Sequence, residues 1–291
     1  MRAAMPPETP YRTRFAPSPT GFLHLGHAYS ALIAHARARE AGGTFLLRIE
    51  DIDHPRCRPE FEAAIFEDLR WLGIDWPEPV MRQSARMAHY RAALDRLAER
   101  GLVYPCRCSR AEIRAALSAP QEGMAEAAVY PGTCRGRSMA EARPDDAIRL
   151  DIARALEALG GGPVSFEESG PEHSGHHSWD GDALRARIGD AVLARRDIGT
   201  SYHIAVVVDD AAQGITEIVR GLDLFSVTPL QVLLQALLEL PMPRYWHHPL
   251  IRDEYGRRLA KRDDARAIRA YRMAGESSSD VMRRIGLTAP A

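Results

Sequence analysis

Lysine and asparagine are almost missing from this chain of 291 residues. It has no asparagine, and Lys261 is its only lysine, so that 37 of its 38 lysine and arginine side chains are arginines. Codons for both scarce residues are rich in adenine, which indicates a genome rich in G and C. The single ammonium group at Lys261 is therefore a candidate functional group, and chance survival is the alternative that composition leaves open.

Long hydrophobic runs are also absent, and cysteines are few. No apolar run reaches the ~18 residues of a membrane-spanning helix, and the proline-rich residues 1–11 carry no apolar signal core. Without secretion, the four cysteines are not expected to form disulfides. These absences predict a cytoplasmic protein with no membrane segment.

A strong net charge is missing as well. The net charge is −1, and 45% of the residues are hydrophobic and 26% charged, as in an ordinary globular protein of one or two domains. No overall basic field attracts nucleic acid, although a local basic face would suffice. Arginine clusters at residues 135–143, 195–196 and 252–272 are more often solvated faces than RNA footprints.

A strand, a tight loop and a helix start follow one another between residues 13 and 43. Residues 13–16 have the pattern of a buried strand, and the prolines and glycine of residues 17–21 cannot continue it. A helical pattern then runs from Leu25 to the glycine pair at residues 42–43. Because a helix N-terminus offers free N–H groups and a positive dipole end, this loop suits a phosphate group.

Two histidines and a glycine lie at that helix start. His24 and His27 are three residues apart and can face the same ligand. Gly26 between them leaves room for a nucleotide to lie against the backbone. On its own, the pattern His-x-Gly-His is too short to distinguish a ligand site from a loop with two surface histidines.

The whole stretch RFAPSPTGFLHLGH, from Arg14 to His27, resembles the HIGH signature of class I aminoacyl-tRNA synthetases in their glutamyl/glutaminyl branch. The resemblance extends from about Arg12 to Ile285. It implies an α/β fold with a Rossmann-like, doubly wound parallel sheet, an inserted zinc-containing subdomain and a small C-terminal helical segment. It also implies that the protein activates L-glutamate with ATP and Mg²⁺. The implied ATP-binding residues are Ala16, Pro17, His24, Gly26, His27, Leu259 and Lys261.

A mobile KMSKS loop is the second class I signature, and residues 258–262 (RLAKR) resemble it. Adenylation brings two negative groups together, and charge builds further as pyrophosphate leaves, so the site needs cationic donors. Arg258 replaces the first lysine of the signature and Ala260 its serine. The lysine that contacts the phosphates is retained as Lys261. The resemblance therefore implies His24, His27 and Lys261 as catalytic residues.

Charged residues at the ends of predicted strands indicate an amino acid site. The strand at residues 44–49 is followed by Glu50, and the strand at residues 217–221 contains Arg220. Ligands of parallel sheets bind beyond the carboxyl ends of the strands, and arginine suits a carboxylate, although a single arginine is more often in a surface ion pair. Tyr202 and His203 lie in SYHIAVVVDD, a second family match, and His203 is the weaker candidate. The resemblance implies a glutamate site of Arg14, Ser18, Glu50, Tyr202 and Arg220.

Cysteine spacing predicts a small metal knuckle. Cys106-x-Cys108 is followed by a tyrosine and a third cysteine, Tyr130 and Cys134. Three thiolates and one more ligand make a tetrahedral zinc site, and three free thiols are the alternative. The pattern CxC…YxxxC resembles the zinc site of one synthetase-like family, which implies tyrosine as the fourth ligand. His173, His176 and His177 could also bind metal, but we expect them in a mobile surface loop.

The remaining pattern divides the chain into four parts. Residues 1–105 are expected to form the first half of the catalytic domain, 106–190 an inserted subdomain that carries zinc and holds the acceptor, 191–240 the second half, and 241–291 the KMSKS-like loop with C-terminal helices. Helices are predicted at residues 59–72, 84–100, 228–240, 265–273 and 280–285. A short strand is predicted at 102–104, a buried parallel strand at 204–208, and mostly loop at 160–181.

The resemblance stops where ordinary glutamyl-tRNA synthetases continue into an anticodon-binding domain. Together with the knuckle, this implies that glutamate is attached to queuosine in the anticodon loop of tRNA(Asp). A short synthetase that charges a tRNA 3′ end is one alternative. A non-enzymatic paralogue that binds glutamate or RNA is another, against which His24, His27 and Lys261 argue. We expect a monomer whose partners are ATP, L-glutamate and tRNA(Asp).

Overall fold

The computed structural model describes residues 10–109, 111–113, 129–251 and 267–287. Its strands are β1 (Arg12–Phe15), β2 (Thr44–Ile49), β3 (Met81–Arg82), β4 (Val103–Cys106), β5 (Ala147–Leu150), β6 (Val164–Glu168), β7 (Gly175–Trp179), β8 (Val192–Ala194), β9 (Glu217–Gly221) and β10 (Arg244–His248). Its helices are α1 (Leu25–Glu40), α2 (Pro59–Trp71), α3 (Met87–Glu99), α4 (Ile152–Ala158), α5 (Gly181–Arg187), α6 (Tyr202–Ala212), α7 (Thr228–Leu237), α8 (Ile268–Met273) and α9 (Ser278–Arg284). Short 3₁₀ helices lie at Gln83–Arg86, Met139–Glu141 and Leu222–Val227.

Parallel strands form the centre of the molecule. The order β1-β2-β3 is parallel throughout, and in the order β7-β6-β10-β9 only the β6–β7 pair is antiparallel. β9 lies beside β1, where the Thr216 amide donates to the Arg12 carbonyl at 2.9 Å. Helices α1 and α7 pack on these strands. The prediction of an α/β fold with a parallel sheet is confirmed.

A third, antiparallel sheet follows the order β4-β5-β8. Its first strand, β4, ends at Cys106, and the predicted metal knuckle is therefore built at the edge of this small sheet. Among the described residues, no helix is both long and apolar enough to cross a membrane.

Several predicted elements are confirmed. The helix that begins at Leu25 is α1, the strands at residues 44–49 and 217–221 are β2 and β9, and the helices near 59–72 and 84–100 are α2 and α3. The C-terminal helices are α8 and α9. The KMSKS-like loop expected at residues 258–262 lies outside the described residues.

The strand predicted at residues 204–208 is wrong, because this run belongs to helix α6. Ile204, Ala205, Val206 and Val207 are all buried, so the helix shows no polar face at this level. A short run of apolar residues fits a buried strand and a buried helix equally well. Asp209 and Asp210 continue the helix and do not end a strand.

The loop predicted at residues 160–181 is also wrong, because much of it is the β6–β7 hairpin. Glycine is depleted in strands, but pairing of β6 with both β7 and β10 holds the hairpin in the sheet. His176 bonds Glu167 at 2.7 Å, and the ring of His177 stacks on Phe166 with centroids 5.3 Å apart. The expected loop histidines are thus on or next to a strand. The four-part division of the chain stays a prediction.

Candidate active site

A cavity of about 250 Å³ opens beside β1, β9 and the start of α1. It gathers many of the residues that the sequence predicted for ATP and glutamate: Arg14, Ala16, His24, Gly26, His27, Glu50, Tyr202 and Arg220. We call it the central cavity.

Two described residues of the predicted set, Pro17 and Ser18, do not line the central cavity. Ser18 lines an adjoining cavity, and Glu50 and Tyr202 border both. The carbonyl of Pro17 accepts a bond from the Glu50 amide at 3.0 Å, which ties the loop to the end of β2. Leu259 and Lys261 lie outside the described residues.

The two histidines cap helix α1. Nδ1 of His24 accepts from the Gly26 amide at 3.1 Å, and Nδ1 of His27 accepts from the His24 amide at 3.2 Å. Their ring centroids are 3.8 Å apart. Both caps use Nδ1, and both residues line the cavity at the positive end of the helix, which favours a phosphate group there. A side chain at Gly26 would press on the His24 ring, because a Cβ there would lie 3.1 Å from its Cε1.

Arg14 reaches the cavity from β1 and is held by a carboxylate. Its Nε and NH2 donate to the two oxygens of Asp210 at 2.8 and 3.2 Å. The same carboxylate accepts from Arg48 at 2.7 Å, and Arg48 also donates to Glu50 at 3.0 Å. Burial raises the pKa of Asp210, but the two arginine charges outweigh it and lower that pKa overall. Asp210 therefore stays ionised and fixes both guanidinium groups.

Glu50 is the carboxylate at the cavity end of β2. It is buried, and burial raises its pKa above the usual range despite the pull of Arg48 and Arg14. A substrate ammonium group beside it would favour the ionised form. Arg48 and Asp210 were not predicted as site residues, although Asp210 lies inside the stretch SYHIAVVVDD, which was quoted as a family match.

Arg220 reaches the cavity from β9 through a different set of contacts. Its Nε donates to His247 Nε2 at 3.0 Å, one NH1 proton goes to Gln231 Oε1 at 2.6 Å, and NH2 donates to Thr228 Oγ1 at 2.8 Å. Behind the imidazole, His247 Nδ1 makes a close hydrogen bond with Glu168. Because Arg220 can only donate, Nε2 of His247 is the acceptor and Nδ1 carries the proton. No sequence pattern pointed to His247 or Glu168.

His203 does not line the central cavity. It lines a separate cavity of about 560 Å³, together with Trp179 and Leu230, while the neighbouring Tyr202 borders the central one. Burial, with the Arg220 charge as the smaller cause, lowers the pKa of His203 to about 4, so it is neutral near pH 7.

The three cysteine sulfurs of the predicted knuckle converge. Sγ atoms of Cys106, Cys108 and Cys134 lie within 4.8 Å of one another, the only such group of potential metal ligands among the described residues. Oη of Tyr130 is 3.4 Å from Sγ of Cys106 and 3.3 Å from that of Cys108, and the sulfurs of Cys108 and Cys134 are 3.5 Å apart. A tetrahedral zinc ion requires sulfurs ~3.8 Å apart and a sulfur–oxygen distance of ~3.5 Å. The four side chains fit such an ion.

Charged and hydrogen-bonded side chains surround the knuckle. The Arg149 guanidinium lies 3.8 Å from the Tyr130 ring centroid. Asp190, fully buried, accepts from Arg135 at 2.8 Å and makes a close bond with the Tyr104 hydroxyl. Burial raises the pKa of the Cys134 thiol, but hydrogen bonds to its sulfur outweigh this and lower the pKa to about 7. A thiol with a lowered pKa readily releases its proton to solvent when it binds a metal ion as a thiolate.

Comparison with known proteins identifies the class. Residues 10–289 match the family of tRNA synthetases class I (E and Q), catalytic domain. The chain belongs to this family, which makes it an ATP-using ligase of the aminoacyl-tRNA synthetase type. The recognition made from the HIGH-like stretch is confirmed.

Two curated relatives carry a more particular name. The glutamyl-Q tRNA(Asp) synthetase of Rhodobacter capsulatus is 55% identical over 281 residues, covering 94% of this chain and 99% of the relative. The protein of the same name from Nitratidesulfovibrio vulgaris is 42% identical over 285 residues, covering 93% of this chain and 83% of the relative.

Solved structures of longer proteins share the fold. A glutamate tRNA ligase from Elizabethkingia meningosepticum, in complex with its amino acid, matches with a TM-score of 0.70 and 29% identity. The match covers 87% of this chain and 52% of the ligase. The glutamate-tRNA synthetase of Elizabethkingia anophelis gives a TM-score of 0.71 at 28% identity and covers 53% of that chain. This chain thus spans about half the length of these solved relatives.

Proposed function

We propose that this protein activates L-glutamate with ATP and transfers the glutamyl group to queuosine in the anticodon loop of tRNA(Asp). The observation that carries activation is the charge pattern of the central cavity. Glutamate has two carboxylates and one ammonium group. The cavity lining contains two arginines, Arg14 and Arg220, which suit the carboxylates, and two acidic residues, Glu50 and Asp223, of which Glu50 is proposed to hold the ammonium group. The acceptor is proposed from the similarity to glutamyl-Q tRNA(Asp) synthetases over nearly the whole chain.

Activation assigns a role to each end of the cavity. An oxygen of the glutamate carboxylate attacks the α-phosphorus of ATP, and the bond to pyrophosphate breaks. Negative charge grows on the phosphates in this step, and His24, His27 and the start of α1 supply N–H donors there. Lys261 is proposed as the cation on the other side, and Mg²⁺ arrives with ATP. A hydroxyl of the acceptor then attacks the acyl carbon and AMP leaves.

Zinc is proposed as the metal of the knuckle, held by Cys106, Cys108, Tyr130 and Cys134. The distances among the four ligand atoms support a tetrahedral ion, and three sulfur ligands favour zinc over a hard cation such as Mg²⁺. The ion would brace the end of β4 and support the subdomain proposed to hold the acceptor.

Activation is tested by glutamate-dependent exchange of pyrophosphate into ATP without tRNA. We expect exchange, because both arginines already face the cavity in the free protein. His24→Ala should lower the rate by about 10²–10³-fold, the size of one lost transition-state donor. Exchange that appears only after tRNA is added would contradict a preformed site, and no exchange with any amino acid would favour the non-enzymatic paralogue.

The acceptor is tested with tRNA(Asp) that contains or lacks queuosine, and with its 3′ end intact or trimmed. Glutamylation should require queuosine and should be indifferent to the 3′ end. Transfer to unmodified tRNA(Glu) that is abolished by removing its 3′ adenosine would instead establish a short synthetase of the ordinary kind.

A further inference from the structure

The two arginines of the central cavity differ in how their charge is balanced. Arg14 forms a two-point ion pair with Asp210, and Arg48 contacts both Asp210 and Glu50. Arg220 has no carboxylate within 4.0 Å among the described residues, although it is only 5% exposed. Its partners are an imidazole, an amide, a hydroxyl and, at 3.4 Å, the Leu224 carbonyl.

A buried cation without a counter-ion is costly unless a ligand supplies the negative charge. Four neutral acceptors hold the Arg220 guanidinium in place but leave its charge for such a ligand. Three of its five N–H groups are aimed by His247, Gln231 and Thr228, which fixes the plane of the fork. A carboxylate in the cavity gains the full attraction of this charge, while an amide of the same shape does not.

Glu168 acts on Arg220 only through His247. Its Oε1 accepts from the Gly170 amide at 2.6 Å and from the His247 amide at 2.9 Å, and its Oε2 bonds the His247 ring. These contacts hold Glu168 ionised and keep the proton of His247 on Nδ1. The lone pair of Nε2 must then point at Arg220, and the Glu168 charge itself stays behind the ring and away from the cavity lining.

We propose that Glu168, His247 and Gln231 are positioning residues that fix Arg220 and leave its charge uncompensated, so that the site takes a substrate carboxylate and rejects the corresponding amide. This inference rests on the proposed activation of glutamate. Glutamate is distinguished from glutamine because the groups that touch Arg220 are neutral and leave its positive charge for the substrate. Arg14 in the same cavity has the opposite arrangement, because the carboxylate of Asp210 neutralises its charge.

Gln231→Glu is the sharpest test, because it changes the charge and almost nothing else. Nε2 of Gln231 has no partner among the described residues, so its replacement by oxygen breaks no bond there. The new carboxylate would lie at the 2.6 Å contact with Arg220 and neutralise it. We expect KM for glutamate in pyrophosphate exchange to rise about 10- to 100-fold, as for a lost charge-assisted contact, with kcat within about threefold. The preference for glutamate over glutamine should fall by a similar factor.

Gln235→Glu is the matched control. Gln235 lies one turn further along α7, is equally buried and accepts from the Tyr245 hydroxyl at 3.2 Å. It adds the same charge to the same helix without touching Arg220, and should leave the ratio of glutamate to glutamine affinity unchanged. An equal change of that ratio in both variants, or an unchanged KM in folded Gln231→Glu, would overturn the proposal.

Glu168→Gln provides a second variant that adds no charge. Its amide can donate to His247 Nδ1, which would place the imidazole proton on Nε2 against the Arg220 N–H. We expect a raised KM for glutamate and a smaller change in kcat. Calorimetric titration with glutamate and with glutamine gives the same comparison without turnover. Wild-type protein that binds glutamate but shows no pyrophosphate exchange would refute only the proposed activity. In that case, a loss of the preference for glutamate over glutamine binding in the two variants would still support the positioning roles.

Discussion

Removing the carboxylate at Asp210 tests the buried charge cluster that holds Arg14. Asp210→Asn keeps the size of the side chain and one oxygen acceptor, but it removes the negative charge shared by two buried arginines. Asp210 accepts three bonds from them, between 2.7 and 3.2 Å. Breaking a buried ion pair by removing one partner costs about 3–5 kcal/mol. We expect about 3 kcal/mol, since Glu50 still pairs with Arg48.

The assay is equilibrium unfolding of the variant beside the wild type. For a chain of this length, about 3 kcal/mol corresponds to a fall of roughly 5–10 °C in Tm. The arginines hold the pKa of Asp210 below its ordinary value. Its stabilising contribution is therefore complete above the unfolded pKa near 4 and is lost as the pH falls through the lower folded value. The difference between the two proteins should accordingly be full at pH 7 and shrink in acid.

A control variant separates this effect from the loss of any surface ion pair. Asp182→Asn removes an exposed carboxylate that pairs with Arg185 three residues away, and it should leave Tm unchanged. An Asp210→Asn protein as stable as the wild type, or one whose deficit persists unchanged below pH 3, would show that this carboxylate does not neutralise the buried arginines.

Three further outcomes are expected. Asp68→Asn should stabilise the protein by about 1–3 kcal/mol at pH 7.5 but not at pH 4. Burial raises the pKa of Asp68 to about 6, so that its ionised form opposes folding above that pH. Equal stability of the variant and the wild type at pH 7.5 would contradict this. Metal analysis of protein purified without added zinc should give one ion per chain, which is lost in Cys134→Ser and kept in Cys57→Ser; a ratio near zero in the wild type would remove the knuckle from consideration. Gly26→Ala should slow pyrophosphate exchange by about tenfold or more, because its methyl group would displace the His24 ring; a wild-type rate would show that the cap tolerates movement.

The residues proposed to bind ligands could be predicted because they lie in long, specific stretches of sequence. Arg14, His24, Gly26 and His27 fall within fourteen consecutive residues, and local rules place them at a strand end and a helix start. The structure then brings these residues together with Glu50, Tyr202 and Arg220 around one cavity. Their roles stay predictions, but their proximity follows from the parallel arrangement of β1, β2 and β9.

The groups that position those residues could not be predicted in the same way. Glu168 lies on a strand whose glycine- and serine-rich surroundings indicated a loop, and only its pairing with β10 brings it to His247. Asp210 lies on α6, whose apolar run has no helical period to distinguish it from a strand. In both cases a contact distant in sequence decides the structure, and local patterns carry no information about it.

The charge contacts in and behind the central cavity also have a consequence for how the chain folds. Arg14 and Asp210 are 196 residues apart in sequence, and Glu168 and His247 are 79 apart. Closing such long segments costs entropy before any contact is gained, so contacts of this kind form slowly and together. The backbone amides of β1 and β9 should therefore exchange their hydrogens only through cooperative opening of both sheets to which these strands belong. A proteolytic cut between the two halves would leave neither fragment with a site, whereas the two fragments mixed together could rebuild it.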